Sequence, residues 1–424
     1  MAKQHSQKYL ATYAEPEVQS LAQIQECFAR DAFRASLAIP AYNEQPNYLK
    51  RWMLHPQAQH YLLITVVNAP DTQRTSSADN IQLWQFIESQ FHRVCRADNV
   101  SVFEQGPIKL LAVDRFSNAS QRLPKRQGVG LARKIACDLS VFLYCSGRQQ
   151  FPWVFSSDAD THLPENYFSA IHNSDRRKHS CTNKLNTKVS ALVFNFEHIQ
   201  AGACDEVFAA TQSYQQAIKY YCQQLRYARS PYAFYTLGSA LAINIHAYAA
   251  VRGFPKRPGG EDFYLLNKLA KIGAVQHCPA VKLAIEARTS QRVPFGTGPA
   301  VQKIVEQSSQ AIDYRYYSPH IFQELKHWLA LSTQLWQYRD SPASIPWPSV
   351  RCQQSLGRLP FSRFLLHATR QCKTETVFNK AFHDWFDSFM TLKFIHDMQD
   401  HYYPAQDLQY CLRIADGRQT DSAP

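Results

Sequence analysis

The segment FPWVFSSDADTHLP places two carboxylates, Asp158 and Asp160, directly after a short apolar run. The apolar run has the composition of a buried strand, so we expect both side chains to lie in the turn at its end. Carboxylate oxygens suit hard cations such as Mg²⁺ or Mn²⁺, which proteins commonly hold together with substrate phosphates. The alternative is an ordinary Asp-rich turn without a ligand. Polar residues at the ends of other strands would favour a cation site over such a turn.

Three other apolar runs also end in polar residues. The first, SLAIPAYNE, passes through Pro40 and Tyr42 to Glu44, and we expect Pro40 to end its strand because proline lacks an amide donor. The second run ends at Asn68 and the third at Asp114. Ligands of parallel sheets bind beyond the carboxyl ends of the strands, so these residues are candidates for one shared site.

Two basic segments are candidates for binding an anion. In PKRQGVGLARKIACD, Gly128 and Gly130 open a helix whose N–H groups could bind an anion, with Arg133 among the flanking cations. The alternative is that these glycines only permit a tight turn. In EARTSQRVPFGTG, Arg288 and Arg292 precede a glycine-containing loop, and guanidinium groups suit diphosphate oxygens.

The segment GGEDFYLLNKL places Glu261 and Asp262 at the start of a helix. Carboxylates at that position can simply complement the helix dipole or cap the first turn. Alternatively one of them, preferably Asp262, acts as a general base on an acceptor hydroxyl.

The elements that would position these residues alternate between strands and helices. Apolar runs predict strands at 35–40, 61–67, 108–113, 153–157 and 189–196, and helical patterns occur at 81–94, 129–144, 164–172, 205–227 and 261–272. This alternation predicts an α/β fold with a mostly parallel central sheet flanked by helices. Amphipathic patterns at 321–338 and 377–399 predict a helical C-terminal extension. We therefore expect an N-terminal helical segment over 1–33, an α/β domain over 34–299 and a mainly helical region over 300–424.

The composition restricts the class of protein. With 45% hydrophobic and 19% charged residues the chain is not a disordered polyelectrolyte, and its formal charge of +12 favours an anionic partner. Eleven scattered cysteines without a C-x-x-C pair predict reduced thiols in a reducing compartment. No apolar run approaches the ~20 residues that span a bilayer, and the N-terminus lacks an apolar signal core. We therefore expect a cytoplasmic protein, with peripheral membrane contact left open.

The order of these motifs resembles the family-2-type nucleotide-sugar glycosyltransferases with a GT-A fold, over roughly residues 34–298. IPAYNE resembles the opening strand that contacts the nucleotide, SSDADTHLP the metal-binding D-x-D turn, GGEDFYLLNKL the acidic segment with the catalytic base, and RTSQRVPFG the basic loop that closes on the diphosphate. The Q-x-x-R-W signature of processive synthases is absent from the sequence.

The resemblance implies a metal-dependent sugar transfer from a nucleotide-diphosphate donor to an unidentified acceptor. Asp158 and Asp160 would hold Mg²⁺ or Mn²⁺ and the diphosphate, and Asp262 would be the base of an inverting reaction. Glu44, Asn68 and Asp114 would line the nucleotide pocket.

Three alternatives remain. The first is a retaining GT-A enzyme, in which His277 would be a third metal ligand instead of an ordinary histidine at a strand edge. The second is a sugar-nucleotide-binding relative without catalysis. The third is a nucleic-acid-binding protein that uses residues 122–134 and 176–179, although the sequence contains no recognised nucleic-acid motif.

Overall fold

The computed structural model describes residues 2–28, 33–171, 189–290, 292 and 296–420. Residue 172 of the predicted 164–172 helix and the basic residues 176–179 lie outside these ranges. The chain divides into two compact units, one formed by residues 1–208 and 236–300 and the other by residues 209–235 and 301–424.

The first unit is built around a large mixed sheet. Among the described residues ten strands form this sheet, in the order β3-β4-β5-β2-β1-β6-β9-β8-β10-β7. The four neighbours β5, β2, β1 and β6 run parallel to one another, as do β8 and β10, whereas the other pairings are antiparallel. The strands are β1 Ser36–Ala41, β2 Leu62–Asn68, β3 His92–Ala97, β4 Val100–Gln105, β5 Ile108–Arg115, β6 Trp153–Ser156, β7 Thr161–His162, β8 Val189–Ile199, β9 Leu241–Asn244 and β10 Ala274–Glu286.

Strand β1 lies at the centre of this sheet and is buried along its whole length. The expectation that Pro40 ends this strand is wrong, because β1 continues to Ala41 and Pro40 is paired with Val66 of β2. On its other side β1 pairs with β6 only as far as Ala38. Pro40 therefore lies beyond the β6 pairing, where its missing N–H group costs no ladder hydrogen bond.

Helices cover the sheet of the first unit. Helix α5 packs against β1 and β2 and is buried on nearly all sides, as its apolar composition requires. The helices of this unit are α1 Ala2–Thr12, α2 Glu17–Gln23, α3 Asn47–Leu54, α4 Ala78–Gln90, α5 Gly128–Cys145, α7 Ile245–Ala250 and α8 Glu261–Ala270, and α6 Asp205–Tyr227 begins in it. The mixed α/β class with a sheet flanked by helices is thus confirmed.

A buried polar network holds the N-terminal segment on α5. Asp138 is completely buried and accepts hydrogen bonds from the Tyr9 hydroxyl at 2.6 Å, the Tyr248 hydroxyl at 3.0 Å and the Lys134 ammonium at 2.8 Å. Its second oxygen also accepts from the backbone N–H of Glu15 at 2.9 Å. The carboxylate is therefore fully satisfied, which is what a buried charge needs to be tolerated.

The second unit is mainly helical and has an aromatic core. Besides most of α6 it contains most of α9 Thr297–Ser309, together with α10 Pro319–Ser332, α11 Val350–Arg358, α12 Phe361–Gln371, α13 Glu375–Trp385, α14 Ser388–His401 and α15 Leu408–Thr420, and the short strands β11 Arg315–Tyr316 and β12 Gln406–Asp407. Trp328 is fully buried and makes ring contacts with Phe361, Phe382 and Phe386. Such aromatic clusters supply much of the burial that stabilises a helical unit.

The cysteines depart from the prediction at one pair. Cys27 and Cys95 are joined as a disulfide, although they lie 68 positions apart in the sequence. The expectation of reduced thiols is therefore wrong for this pair, because sulfurs that meet only in the fold have no recognisable spacing. Disulfides are rare in cytosolic proteins, so this pair gives no support to the predicted cytoplasmic location. Within the described ranges, no helix is both long enough and apolar enough to cross a bilayer.

Candidate functional site

The turn that carries Asp158 and Asp160 is fixed at both ends by the sheet. Before it, the backbone N–H of Ser157 donates to the carbonyl of Ala38 in β1 at 3.0 Å. After it, β7 pairs with the end of β10, and the N–H of Glu286 donates to the carbonyl of Asp160 at 2.9 Å. The two aspartates therefore lie at a defined place beyond the carboxyl end of β6, as the sequence predicts.

Arg51 supports the middle of this turn, and sequence reasoning missed it. Its Nη2 donates to the carbonyl of Ala159 at 2.7 Å and its Nη1 to Glu286 at 2.9 Å. His162 Nε2 lies 2.9 Å from the same Glu286 oxygen. Arg51 lies on α3, more than a hundred residues before the turn, and nothing in its local sequence marks this contact.

Arg133 of α5 links the turn to the start of α8. Its Nε donates to Glu261 at 2.8 Å, and its Nη2 donates to Asp158 at 2.5 Å. Its Nη1 donates to the Ser156 hydroxyl at 3.0 Å and to the Ser157 carbonyl at 3.1 Å. Burial alone would lower the pKa of Arg133, but the charges of Asp158 and Glu261 raise it. Arg133 is 3% exposed, so it is unsuited to the predicted donor contact and instead organises the site.

Gly238 leaves room for this network, and Gly130 lets the start of α5 pack closely against another backbone segment. A Cβ at Gly238 would lie 2.5 Å from Arg133 Nη2, and one at Gly130 would lie 2.4 Å from the carbonyl oxygen of Pro255. The N–H of Gly130 donates to the carbonyl of Arg257 at 3.0 Å, and that of Gly128 to the carbonyl of Pro124 at 3.2 Å. These contacts indicate that Gly128 and Gly130 serve close packing at the start of α5 and do not bind an anion.

Asp262 follows Glu261 at the start of α8 and differs from it in environment. Glu261 is 4% exposed and paired with Arg133, whereas Asp262 is half-buried and accepts from the N–H of Phe263 at 2.7 Å. Burial and the neighbouring charge of Glu261 raise the pKa of Asp262 to about 7, against the opposing charge of Arg133. A carboxyl group with such a pKa can take up and release a proton near neutral pH.

Glu44, Arg288 and Arg292 form a second network, on the Asp160 side of the turn. Both Nη atoms of Arg288 donate to Glu44, at 2.9 and 2.8 Å, and Arg288 Nη2 also lies 2.6 Å from Asp160. Arg292 contacts Glu44 Oε1, which also accepts from Arg288 Nη2, and it donates to the carbonyl of Tyr42 at 2.9 Å. Burial raises the pKa of Glu44, but the two guanidinium groups outweigh it and the net shift is downward. Glu44 thus holds two arginines, a partner set that the sequence did not indicate.

Asn68 and Asp114 are both buried and both make local contacts. The Asn68 amide donates to the carbonyls of Ala41 and Val66, each at 3.1 Å. The Asp114 carboxylate accepts from the N–H groups of Phe116 at 3.1 Å and Ser117 at 2.9 Å. These contacts account for the polarity of both strand ends without a ligand.

The two networks together carry an excess of negative charge. Five carboxyl groups face three guanidinium groups, which leaves a formal charge of −2 when all are ionised; the members are Glu44, Asp158, Asp160, Glu261, Asp262, Arg133, Arg288 and Arg292. Burial raises the pKa of Asp160 to about 6, and the charges of Asp158 and Glu44 act in the same direction against Arg288. We call these eight residues the acidic margin.

The acidic margin fits a divalent cation in its chemistry. Asp158 and Asp160 offer hard oxygen ligands, and the excess of two negative charges equals the charge of one such ion. Among the described residues no group of three His, Cys, Asp or Glu side chains could hold a metal ion. Two carboxylates completed by substrate phosphates are a common arrangement for Mg²⁺.

His277 is not brought to the aspartates. It pairs with Val193 near the start of β10, whereas Ile285, at the other end of that strand, pairs with His198 and lies beside the turn. Five register positions along β8 correspond to about 17 Å. This distance excludes His277 as a third ligand beside Asp158 and Asp160, and with it the residue that the retaining alternative relied on.

The nucleic-acid alternative loses part of its proposed surface. Of the basic residues in 122–134, Arg122, Arg133 and Lys134 are buried, and each donates to internal acceptors. Phosphate contacts require cations at the surface. The other predicted group, residues 176–179, lies outside the described residues.

Comparisons with known proteins give little guidance. No protein-family model and no curated protein matches the sequence. Among solved structures, the chain is similar to the mannosyltransferase PcManGT from Pyrobaculum calidifontis in complex with GDP-Man and Mn²⁺, with a TM-score of 0.38 and 12% identity over 91% of this chain and 99% of that one. A likeness at this level carries no argument about function.

Proposed function

We propose that this protein is a GT-A-type glycosyltransferase that moves a sugar from a nucleotide-diphosphate donor to a hydroxyl acceptor with inversion of configuration. One observation carries the proposal: Arg133 joins the Asp158–Asp160 turn to the helix start that carries Asp262, and the part-exposed Arg288 joins the other side of the turn to Glu44, which also binds Arg292. A proton acceptor, an oxygen-rich cation site and an anion site are what such a transfer requires.

The donor diphosphate would bind on the Arg288 side of the turn. Arg288 and Arg292 keep 32% and 24% of their side-chain surface exposed, so their guanidinium groups can reach an incoming ligand. Forked hydrogen bonds from arginine to phosphate oxygens orient the donor as well as bind it. A divalent ion held by Asp158 and Asp160 would stabilise the negative charge of the departing nucleoside diphosphate.

Asp262 is the better candidate for the base than Glu261. Glu261 is buried and held by Arg133 at 2.8 Å, so it is not available to a substrate. Asp262 is half-buried, and with its pKa at about 7 it would be basic enough to take the acceptor proton yet partly ionised at neutral pH. The acceptor oxygen would then attack the anomeric carbon from the face opposite the leaving diphosphate.

A thermal-shift panel of UDP-, GDP- and ADP-sugars, including GDP-mannose, with and without Mn²⁺ or Mg²⁺ tests the donor and the metal together. A donor present at 100 times its Kd stabilises the folded state by about 2.7 kcal/mol. Asp160→Asn should abolish the metal-dependent part of the shift, whereas Asp262→Asn should keep the shift and lose transfer. Asp340→Asn is the matched control, since Asp340 is exposed and pairs only with the adjacent Arg339 among the described residues.

Two outcomes would contradict parts of the proposal. Wild-type turnover by the Asp160→Asn variant would remove the metal assignment. A product that keeps the anomeric configuration of the donor would remove Asp262 as the base. If no nucleotide sugar shifts the melting temperature under any condition, the proposed function itself fails.

A further inference from the structure

Arg288 occupies one of the two carboxylates that we assign to the divalent cation. Its Nη2 atom lies 2.6 Å from Asp160 Oδ2, while both of its Nη atoms also donate to Glu44. Asp160 has only 15% of its side-chain surface exposed and Glu44 only 11%. The guanidinium is therefore held by two enclosed carboxylates and closes the Asp160 half of the cation site.

A divalent ion and this guanidinium cannot both bind Asp160 without strong repulsion. Two positive groups that share one carboxylate repel each other, and the repulsion is large where water is partly excluded. A cation that arrives alone must therefore displace Arg288 from Asp160 or bind through Asp158 only. Asp158 is itself held by the buried Arg133 at 2.5 Å, so it offers no unhindered alternative.

A diphosphate removes this conflict. Its oxygens offer Arg288 new acceptors of matching geometry, and its negative charges neutralise both the guanidinium and the metal ion. Once Arg288 turns to the diphosphate, Asp160 becomes free to bind the cation.

We infer that Arg288 couples cation binding to donor binding, and this inference rests on the function proposed above. Arg288 opposes the cation in the absence of a diphosphate and stops opposing it when a diphosphate is bound. Because coupling between two ligands is reciprocal, the cation strengthens diphosphate binding by the same factor.

Mn²⁺ alone provides the test, because it needs neither donor nor acceptor. Binding is measured by the loss of the free-ion electron paramagnetic resonance signal on titration of the full-length protein. We expect Arg288→Gln to bind Mn²⁺ about tenfold more tightly than the wild type, since removal of a neighbouring positive charge is an effect of that order. The double variant Arg288→Gln/Asp160→Asn should lose this gain, which would place the effect at Asp160.

Arg292 is the matched control. It contacts Glu44 and the carbonyl of Tyr42 and has no ion pair with Asp160 among the described residues, and its charge acts on Asp160 more weakly than that of Arg288. Arg292→Gln should therefore gain less Mn²⁺ affinity than Arg288→Gln, although both variants lose a positive charge from the same network. Circular dichroism melting curves show whether each variant is folded.

The results separate this inference from the proposed function. Equal Mn²⁺ affinities of the wild type and Arg288→Gln, or equal gains in both arginine variants, would overturn the inference. In parallel, GDP and UDP are titrated by calorimetry in the absence of metal. Nucleotide binding together with unchanged Mn²⁺ affinity would refute the coupling and leave the proposed function standing, whereas binding of neither ligand to any variant would refute both.

Discussion

Replacement of Arg133 by methionine should destabilise the first unit more than any change of an exposed arginine. Methionine keeps an unbranched chain of about the length of the arginine stem, but it has no guanidinium group and donates no hydrogen bonds. The change leaves Glu261 buried without its partner and removes the donors to the Ser156 hydroxyl and the Ser157 carbonyl. A buried charge that has lost its partner is among the most destabilising consequences of a single substitution.

The size of the expected loss of stability follows from how deeply Glu261 and Asp158 are buried. Breaking a buried ion pair by removal of one partner costs about 3–5 kcal/mol. Glu261 is 4% exposed and takes the full penalty, whereas Asp158 keeps 34% of its side chain exposed and can be hydrated. We therefore expect a loss of about 4 kcal/mol, and at about 2 °C per kcal/mol for a unit of this size the melting temperature should fall by about 8 °C.

Differential scanning calorimetry of five proteins measures this effect. The wild type is compared with Arg133→Met, Glu261→Gln and the double variant, and Arg96→Met on the exposed edge strand is the control. The double variant removes both buried charges, so it should be more stable than the sum of the single effects predicts by at least about 2 kcal/mol. A loss below about 1 kcal/mol for Arg133→Met, or strict additivity in the cycle, would refute the account of the network.

Three further predictions concern stability and use the same thermal measurement. Gly130→Ala should cost about 3 kcal/mol, because its Cβ would lie 2.4 Å from a backbone oxygen, whereas Gly357→Ala, with nothing within 4 Å, should gain about 0.5–1 kcal/mol. Tyr9→Phe should cost about 1–3 kcal/mol, since it removes the 2.6 Å hydrogen bond to the buried Asp138. The pKa of Asp262 is raised from 3.8 to about 7 by folding, so the folded state binds the extra proton between these values. The wild type should therefore lose stability relative to Asp262→Asn as the pH rises from about 4 to about 7, and a pH-independent difference would contradict this.

The central strands of the fold were predictable because they are continuous apolar runs. The predicted strands at 35–40, 61–67 and 153–157 agree with β1, β2 and β6 to within one residue at each end. These strands are buried along their whole length, so most of their side chains are apolar and the run stands out in the sequence. Helix α6 was predicted with its observed bounds because its length and period are unambiguous.

The elements that were missed have weaker sequence patterns for physical reasons. Strand β3, with the sequence HRVCRA, lies at the edge of the sheet, where charged residues are favoured, and the 81–94 helical prediction ran into it. Strand β10 contains Pro279, which is accommodated where the register with β8 shifts between Cys278 and Lys282. The single helix predicted over 377–399 is two helices, because Asp387 accepts from the N–H groups of Phe389 and Met390 and starts a new one.

The candidate site was predictable in its residue types but not in its partners. A strand end with two aspartates and a helix start with two carboxylates are local patterns, and such patterns are readable from one sequence. The contact of Arg133 with Glu261 joins residues 128 positions apart, and that of Arg288 with Glu44 joins residues 244 positions apart. No spacing rule covers such distances, so sequence reasoning assigned Arg133 and Glu44 to the ligand. In the fold Arg133 binds Glu261 and Asp158, and Glu44 binds Arg288 and Arg292.

Arg133 and Arg288 each bind one aspartate of the turn, and the difference in their burial gives them different roles. Arg133 is enclosed and has all three of its guanidinium nitrogens engaged, so its contact with Asp158 is a fixed part of the fold. Arg288 is 32% exposed, and its contact with Asp160 can be exchanged for a ligand without opening the core. If the guanidinium groups had matched the carboxylates one for one, the acidic margin would be neutral and would have no use for a metal ion. Because two carboxylates are in excess with Arg288 in place, exchange of Arg288 to a diphosphate would raise the excess to three, and a divalent cation would neutralise most of it.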